Sequence, residues 1–206
     1  MSTPLTGAAG EYYVAAELSR RGWAASITPR NADRTDVLAQ HVESGSLVAI
    51  QVKTSREAQH FRLSAKDEKA AQRPGEWFVF VRLGDEEKPP RYFIVPKNVV
   101  SALIYLDHRH WLAVPAGNPH NDNPQRNVRI DDVWIYEDSW PLLETDDGDR
   151  SMRVPEWVYA AYRRYDLPDG HPAHEALRDE PIEKVPASPR NTVILRQLAS
   201  RPVLAG

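Results

Sequence analysis

The 206-residue chain contains no cysteine. Disulfides and thiolate metal sites are therefore excluded, and a reducing compartment such as the cytoplasm is the expected location. There is no apolar run of the roughly 18 residues that a membrane-spanning helix needs, so no membrane association is expected. The opening residues, Met1-Ser2-Thr3-Pro4-Leu5-Thr6-Gly7, have neither the basic nor the apolar segment of a secretory signal. An excess of positive charge is missing too, since the formal net charge is −3. Proteins that coat nucleic acid through non-specific phosphate contacts are normally basic, and that class is disfavoured. An enzyme that holds nucleic acid locally, in a basic cleft with a metal, stays compatible. Ser64, Ser101 and Ser139 lack a Gly-x-Ser-x-Gly setting, so a serine hydrolase is unsupported. The Gly7-Ala8-Ala9-Gly10 stretch opens a helix, but no strand precedes it and it does not match a phosphate loop.

What is present suits an α/β protein. Hydrophobic residues make up 41%, enough for a core in one domain with or without a tail. Residues 6–22 read as a helix capped by Thr6 and ended by Gly22. Short strands are expected at 23–28 and 35–40. The clearest strand is Leu47 to Lys53, apolar until Gln51 as in a centrally placed strand. The turn Glu43-Ser44-Gly45 makes 35–53 a hairpin. Residues 63–72 read as a helix with Ser64 as its cap, 77–81 and 92–95 as strands, and 97–103 as a short helix after Pro96. A loop at 115–128, a strand at 129–136 and a helical turn at 139–143 follow.

After about residue 145 the character changes. The chain divides into a domain over 1–145 and an extension over 146–206 with short helices and a Pro-rich tail. In the extension, 155–165 reads as a helix whose Trp157, Tyr162 and Tyr165 could meet a partner or a second copy of the chain, or pack back on the core. Residues 166–190 read as extended, and 191–200 as a last helix.

Three polar interruptions of apolar context could carry chemistry: Glu11 in the first helix, Asp36 in a strand, and Gln51 with Lys53 at the end of the strongest strand. Side chains repeat every two residues along a strand, so Gln51 and Lys53 share a face. In a simple antiparallel register Asp36 comes alongside them. An acid, an amide and an amine on one face suit phosphodiester hydrolysis. A carboxylate can hold a hard divalent cation, and an amine can stabilise charge that develops in the transition state. Arg30, Arg34, Arg56, Arg62, Lys66 and Lys69 concentrate positive charge around this region. They are either a phosphate-contacting rim or solvated side chains. His108 and His110, in Asp107-His108-Arg109-His110-Trp111, read as a polar surface loop rather than a metal site.

The order Gly10-Glu11…Val14…Leu18…Gly22-Trp23, then Asp36-Val37-Leu38, then Ile50-Gln51-Val52-Lys53-Thr54-Ser55 resembles the PD-(D/E)XK phosphodiesterase superfamily. The later Tyr92 to Pro96 and Trp134 to Leu143 segments resemble the distal part of its small bacterial members, so the likeness covers about residues 6–143. It implies a restriction-endonuclease-like αβββαβ core, a mixed central sheet flanked by helices. It implies Asp36 as the main metal ligand, Gln51 in the second acidic position with its amide oxygen as a ligand, and the Val52 carbonyl as another. Lys53 would be the catalytic lysine, Glu11 the helix acid, and Mg²⁺ or Mn²⁺ the cofactor. Arg30, Arg34, Arg56 and Lys66 would contact nucleic acid, DNA rather than RNA. The chain departs from the pattern at Thr35, which stands where proline is usual, and at Gln51, which removes one negative charge from the metal site. The Mrr-like restriction enzymes resemble it in carrying a QxK version.

Three functions are open at this level. One is a metal-dependent DNA nuclease of defence or repair, with low sequence specificity because no target-recognition domain is visible. Another is an inactive nuclease-fold module that binds nucleic acid or a protein. The third is an interaction protein whose Pro-rich tail docks a partner.

Overall fold

The computed structural model describes residues 3–29, 35–114, 120, 122–145, 152–178 and 188–200. Helix α1 (Thr3–Ser19) leads through a turn at Gly22 (φ 85°) into strands β1 (Trp23–Ile27), β2 (Val37–His41) and β3 (Leu47–Ser55). Strand β4 (His60–Ser64) and a 3-10 turn (Ala65–Glu68) follow, then β5 (Glu76–Arg82), β6 (Arg91–Pro96) and helix α2 (Lys97–Ala113). Strand β7 (Gln125–Arg129), a single turn α3 (Ile130–Val133) and two 3-10 turns (Trp134–Tyr136 and Trp140–Glu144) come next. Helices α4 (Glu156–Tyr165), α5 (Ala173–Arg178) and α6 (Pro189–Ala199) complete the described chain.

Five strands form one mixed sheet in the order β1-β2-β3-β5-β6. Every neighbouring pair is antiparallel except β3 and β5, which run parallel. Parallel strands need a crossover, and here it carries β4, which pairs with β7 in a small second sheet. Helices lie on both faces, so the molecule is a mixed α/β fold.

Strand alternation divides the core in two. On one face Val37, Val48, Ile50, Val52, Val79, Val81 and Ile94 pack with Val14 and Leu18 of α1 and with Trp140 and Leu143. On the other, Phe78, Phe80, Phe93 and Val95 pack with α2, β4, β7 and the C-terminal helices. Strands β5 and β6 are thus covered twice and read as unbroken apolar runs. Among the described residues α1 is the helix that covers strands β1 and β2, and Leu38 is half exposed on their other face.

Helix α1 owes its closeness to the sheet to Gly10. A Cβ placed there would stand 1.9 Å from Thr54 Oγ1 and 3.0 Å from its Cβ. The Thr54 hydroxyl is buried in that contact without a hydrogen-bond partner. Glycine inside a helix costs about 0.5–1 kcal/mol against alanine, and here it allows the approach that seats Val14 and Leu18.

The structure corrects two expected elements. The segment expected as a helix at 63–72 begins as β4, because Phe61 and Leu63 alternate inward while Arg62 stays exposed, and it ends in the 3-10 turn. Asp67 closes that turn by accepting from Ser64 N (2.8 Å) and Ser64 Oγ (3.0 Å). In place of the strand expected at 129–136, β7 lies upstream in the segment expected as a loop, and 130–136 is occupied by α3 and a 3-10 turn. Helix α2 runs well past residue 103, to Ala113, so His108 and His110 lie in its last turns rather than in a loop.

The aromatic helix near the C-terminus packs back on the core. Trp157 is fully buried, and Val158, Tyr159 and Ala161 join the same cluster as α2. Leu167, Ala173 and Leu177 are buried there too, so residues 167–178 are packed rather than extended. Polar links tie these helices down. Trp157 Nε1 donates to Asp132 Oδ1 (3.1 Å), Arg190 donates to Asp132 Oδ2 (3.2 Å), and Arg190 also pairs with Asp107. Burial pushes the Asp132 carboxyl up to about 6, against the pull of Arg190.

Gly10→Ala should destabilise the protein by about 1–3 kcal/mol through overpacking. In a Thr54→Ala background most of that penalty should vanish. A double-mutant cycle by chemical denaturation checks the coupling, and additive effects would show that the α1–β3 contact does not set it.

Candidate functional site

The site begins with the backbone around Asp36. Its N–H donates to Ile50 O (2.9 Å) and its carbonyl accepts from Thr28 N (3.0 Å), so this residue is strapped to β3 on one side and to the β1 segment on the other. Thr28 Oγ1 adds a hydrogen bond to the Thr35 carbonyl. The β2–β3 ladder ends at the Val37–Ile50 pair, and Asp36 lies in a bend just before β2. Val37 points to the α1 core, whereas Asp36 sends its N–H to β3 and its carbonyl to the β1 side, so strand alternation does not set the direction of its side chain.

Gln51 and Lys53 occupy the face away from α1, because Ile50 and Val52 take the α1 side. Gln51 and Lys53 sit beside Phe78 and Phe80 of β5. The structure therefore brings Asp36 to the same end of the β2–β3 pair as Gln51 and Lys53, which share one face of β3. Among the described residues the Lys53 side chain makes no hydrogen bond or ion pair.

The Asp36 carboxylate is itself oriented. Its Oδ2 accepts from Val52 N (2.7 Å), while Oδ1 has no partner among the described residues. The N–H and C=O of one strand residue leave on the same side. The Val52 carbonyl therefore leaves β3 towards β2, at the level where the ladder with β2 has ended.

Glu11 is placed differently. It is half-buried on α1, one residue after the Gly10–Thr54 contact, and α1 covers the face of Val52 rather than that of Gln51 and Lys53.

Next to Gln51 lies a cleft of about 420 Å³, whose wall also includes Thr35, Lys69, Arg73, Glu76 and Lys97. Of these, Arg73, Glu76 and Lys97 were not among the residues singled out from the sequence, because they reach Gln51 from the crossover, from β5 and from the start of α2, and such long-range meetings have no local signature. Lys97 is buried, donates to Asp67 O (3.0 Å) and stands 4.7 Å from the Phe78 ring centre. Arg73 and Glu76 form a loose pair at 3.5 Å. Lys66 is exposed on the 3-10 turn, and Arg56 pairs with Glu86 at 2.9 Å. Arg30 and Arg34 lie outside the described residues.

Ser101 and His171 form a second polar contact, 2.9 Å apart and buried. It does not activate a nucleophile. His171 Nδ1 accepts from Ala173 N (3.1 Å), so Nε2 carries the proton and donates to Ser101, whose hydroxyl donates to Asn98 O (3.1 Å). A nucleophilic serine needs the proton to travel the other way. The contact instead locks the segment before α5 onto α2. Burial, then His174 and Lys97, pull the His171 imidazole down to about 4.

No protein-family model and no curated protein matches this chain. Among solved structures, a bacterial homing endonuclease, I-Ssp6803I, aligns with a TM-score of 0.39 and 19% identity, over 69% of this chain and 91% of that one. A likeness this loose leaves function to be read from the side chains.

Asp36→Leu leaves the Val52 N–H without its acceptor and should cost about 1–3 kcal/mol. Asp36→Asn keeps an acceptor and should cost less, with faster amide exchange at Val52 only in the leucine variant. The His171 imidazole is neutral when folded but protonates near 6.5 when unfolded. Its contribution to stability is complete above about pH 6.5 and is lost as pH falls towards about 4. His171→Gln should flatten that part of the stability–pH curve.

Proposed function

We propose that this chain is a divalent-cation-dependent nuclease acting on DNA, built on a restriction-endonuclease-like core. The observation that carries the reading is the hydrogen bond from Val52 N to the Asp36 carboxylate, which sets this acid at the β3 residue flanked by the Gln51 amide and the Lys53 amine. This is the arrangement expected if Asp36, Gln51 and Val52 hold the cation between them. Among the described residues no three His, Cys, Asp or Glu side chains gather into a metal cluster. The donor set is therefore one carboxylate, one amide oxygen and one backbone carbonyl. It fits a hard cation such as Mg²⁺, which takes oxygen ligands and keeps several waters. Bound there, the cation would lower the pKa of a water and neutralise phosphate charge.

The chain's own groups do the rest. Asp36 brings the only full negative charge of the donor set, and its hydrogen bond to Val52 N fixes one oxygen so that the other faces outward. Gln51 orients without adding charge, which weakens cation affinity relative to an acid. The Lys53 ammonium stabilises the charge that builds on the phosphate oxygens as the bond to the leaving oxygen breaks. Lys66, Lys69 and Arg73, with Arg30, Arg34 and Arg56, supply phosphate contacts that position the strand without reading its sequence. Glu11, on the far side of the sheet, acts as a supporting acid from beneath the end of β3.

The test uses the full chain with single- and double-stranded DNA and RNA under Mg²⁺ or Mn²⁺. Asp36→Ala and Lys53→Ala should each lower cleavage by about 10²–10³-fold. Gln51→Glu should shift half-saturation to lower Mg²⁺. Absence of cleavage from the parent under either metal, with the fold intact, would overturn the reading.

A further inference from the structure

Asp36 sits in a bend, so something other than strand alternation sets the direction of its carboxylate. The direction of a Cβ follows from the two rigid peptide planes that flank its Cα. At Asp36 one residue holds both planes. The carbonyl of the plane before it, that of Thr35, accepts from Thr28 Oγ1. The carbonyl of the plane after it, that of Asp36 itself, accepts from Thr28 N (3.0 Å). Consecutive carbonyls of a regular strand leave on opposite edges. Here both turn to Thr28, and the bend follows from that.

The first of these planes is pinned at both ends. Its N–H, that of Asp36, donates to Ile50 O (2.9 Å) on β3, and its carbonyl is held by the Thr28 hydroxyl on the β1 side. With the plane fixed, the carboxylate reaches Val52 N (2.7 Å). Thr28 is itself well placed to hold it. It is half-buried and follows directly on Ile27, the last residue of β1. Pro29 comes next, and a residue before proline is kept in extended backbone. A β-branched side chain has few rotamers, so the hydroxyl stays aimed at little entropic cost.

We propose that Thr28 is the positioning residue of the cation site. Through the Thr35 and Asp36 carbonyls it aims the Asp36 carboxylate, and it touches neither cation nor substrate itself. The proposal rests on the reading of Asp36 as a cation ligand. Groups that orient a metal ligand typically change metal affinity or activity by about 10–100-fold when removed. Thr28→Val keeps the shape and branching and loses only the hydroxyl, whereas Thr28→Ser keeps the hydroxyl.

The experiment compares the full-length parent, Thr28→Val and Thr28→Ser by three readouts: amide exchange without metal, Mn²⁺ binding by calorimetry, and DNA cleavage against Mg²⁺ concentration. Thr28→Val should speed exchange at the Val52 amide while the Val79 and Phe80 amides of β5 keep their rates. It should raise the Mn²⁺ dissociation constant and the half-saturating Mg²⁺ about tenfold, with most of the cleavage rate regained at saturating Mg²⁺. Thr28→Ser should behave as the parent. In an Asp36→Ala background Thr28→Val should add no further loss. A parent that binds Mn²⁺ but cleaves nothing would remove the nuclease reading alone, and Val52 exchange with Mn²⁺ affinity would still decide the role of Thr28. Unchanged Val52 exchange in Thr28→Val would overturn the proposal. So would a uniform rise across β5, a serine variant no better than the valine one, or a parent that binds no Mn²⁺.

Discussion

Strand β3 pairs antiparallel with β2 on one edge and parallel with β5 on the other, and nearly everything else hangs on that double pairing. A strand held on both edges cannot slip by one residue without turning its apolar set to the wrong side. Val48, Ile50 and Val52 must face α1, so Gln51 and Lys53 must face away. The parallel pairing also forces a crossover between β3 and β5. That crossover supplies β4, the 3-10 turn and the residues up to Gly75, and these shape the cleft beside Gln51.

The two faces of the sheet are stabilised in different ways. The α1 face depends on closeness: Gly10 rests on Thr54, and the apolar residues of the helix interlock with three strands. The other face is thicker and contains more buried polar chemistry. Asp132, Arg190, Asp107 and Trp157 form one linked set, while Ser101, His171 and Asn98 form another. Buried ion pairs are poor sources of net stability, but breaking one partner away typically costs about 3–5 kcal/mol. Such links fix where the C-terminal helices sit more than they add to the free energy of folding. Burial of hydrophobic side chains such as Trp157 and Leu177 remains the main attraction between these helices and α2.

Legibility followed the range of the interactions. The β2–β3 hairpin, which carries the chain from Asp36 back to Gln51 and Lys53, was readable because it depends on alternation and a short turn. Strands β5 and β6 were readable as apolar runs bounded by a charged loop. The segment after β3 was misread because Ser64 and its charged neighbours look like a helix start. Pairing of Phe61 and Leu63 with β7, more than sixty residues away, overrode that local preference. The same long-range pairing put β7 upstream of the expected strand. Asp107 to Trp111 read as a polar loop because its histidines resemble surface residues. In the fold, His110 is buried at the junction of α2, α4 and α6.

By itself the sequence determined the mixed α/β character, the strand that follows Asp36, the strand that carries the Gln51-Val52-Lys53 triplet, and the common face of Gln51 and Lys53. These are consequences of periods and turns a few residues long. Only the tertiary structure decided that Glu11 lies on a helix covering the opposite side of the sheet from Gln51 and Lys53, and that Asp36 is oriented by the Val52 N–H. Those arrangements depend on which elements meet across the core, and no local pattern in the chain encodes such meetings.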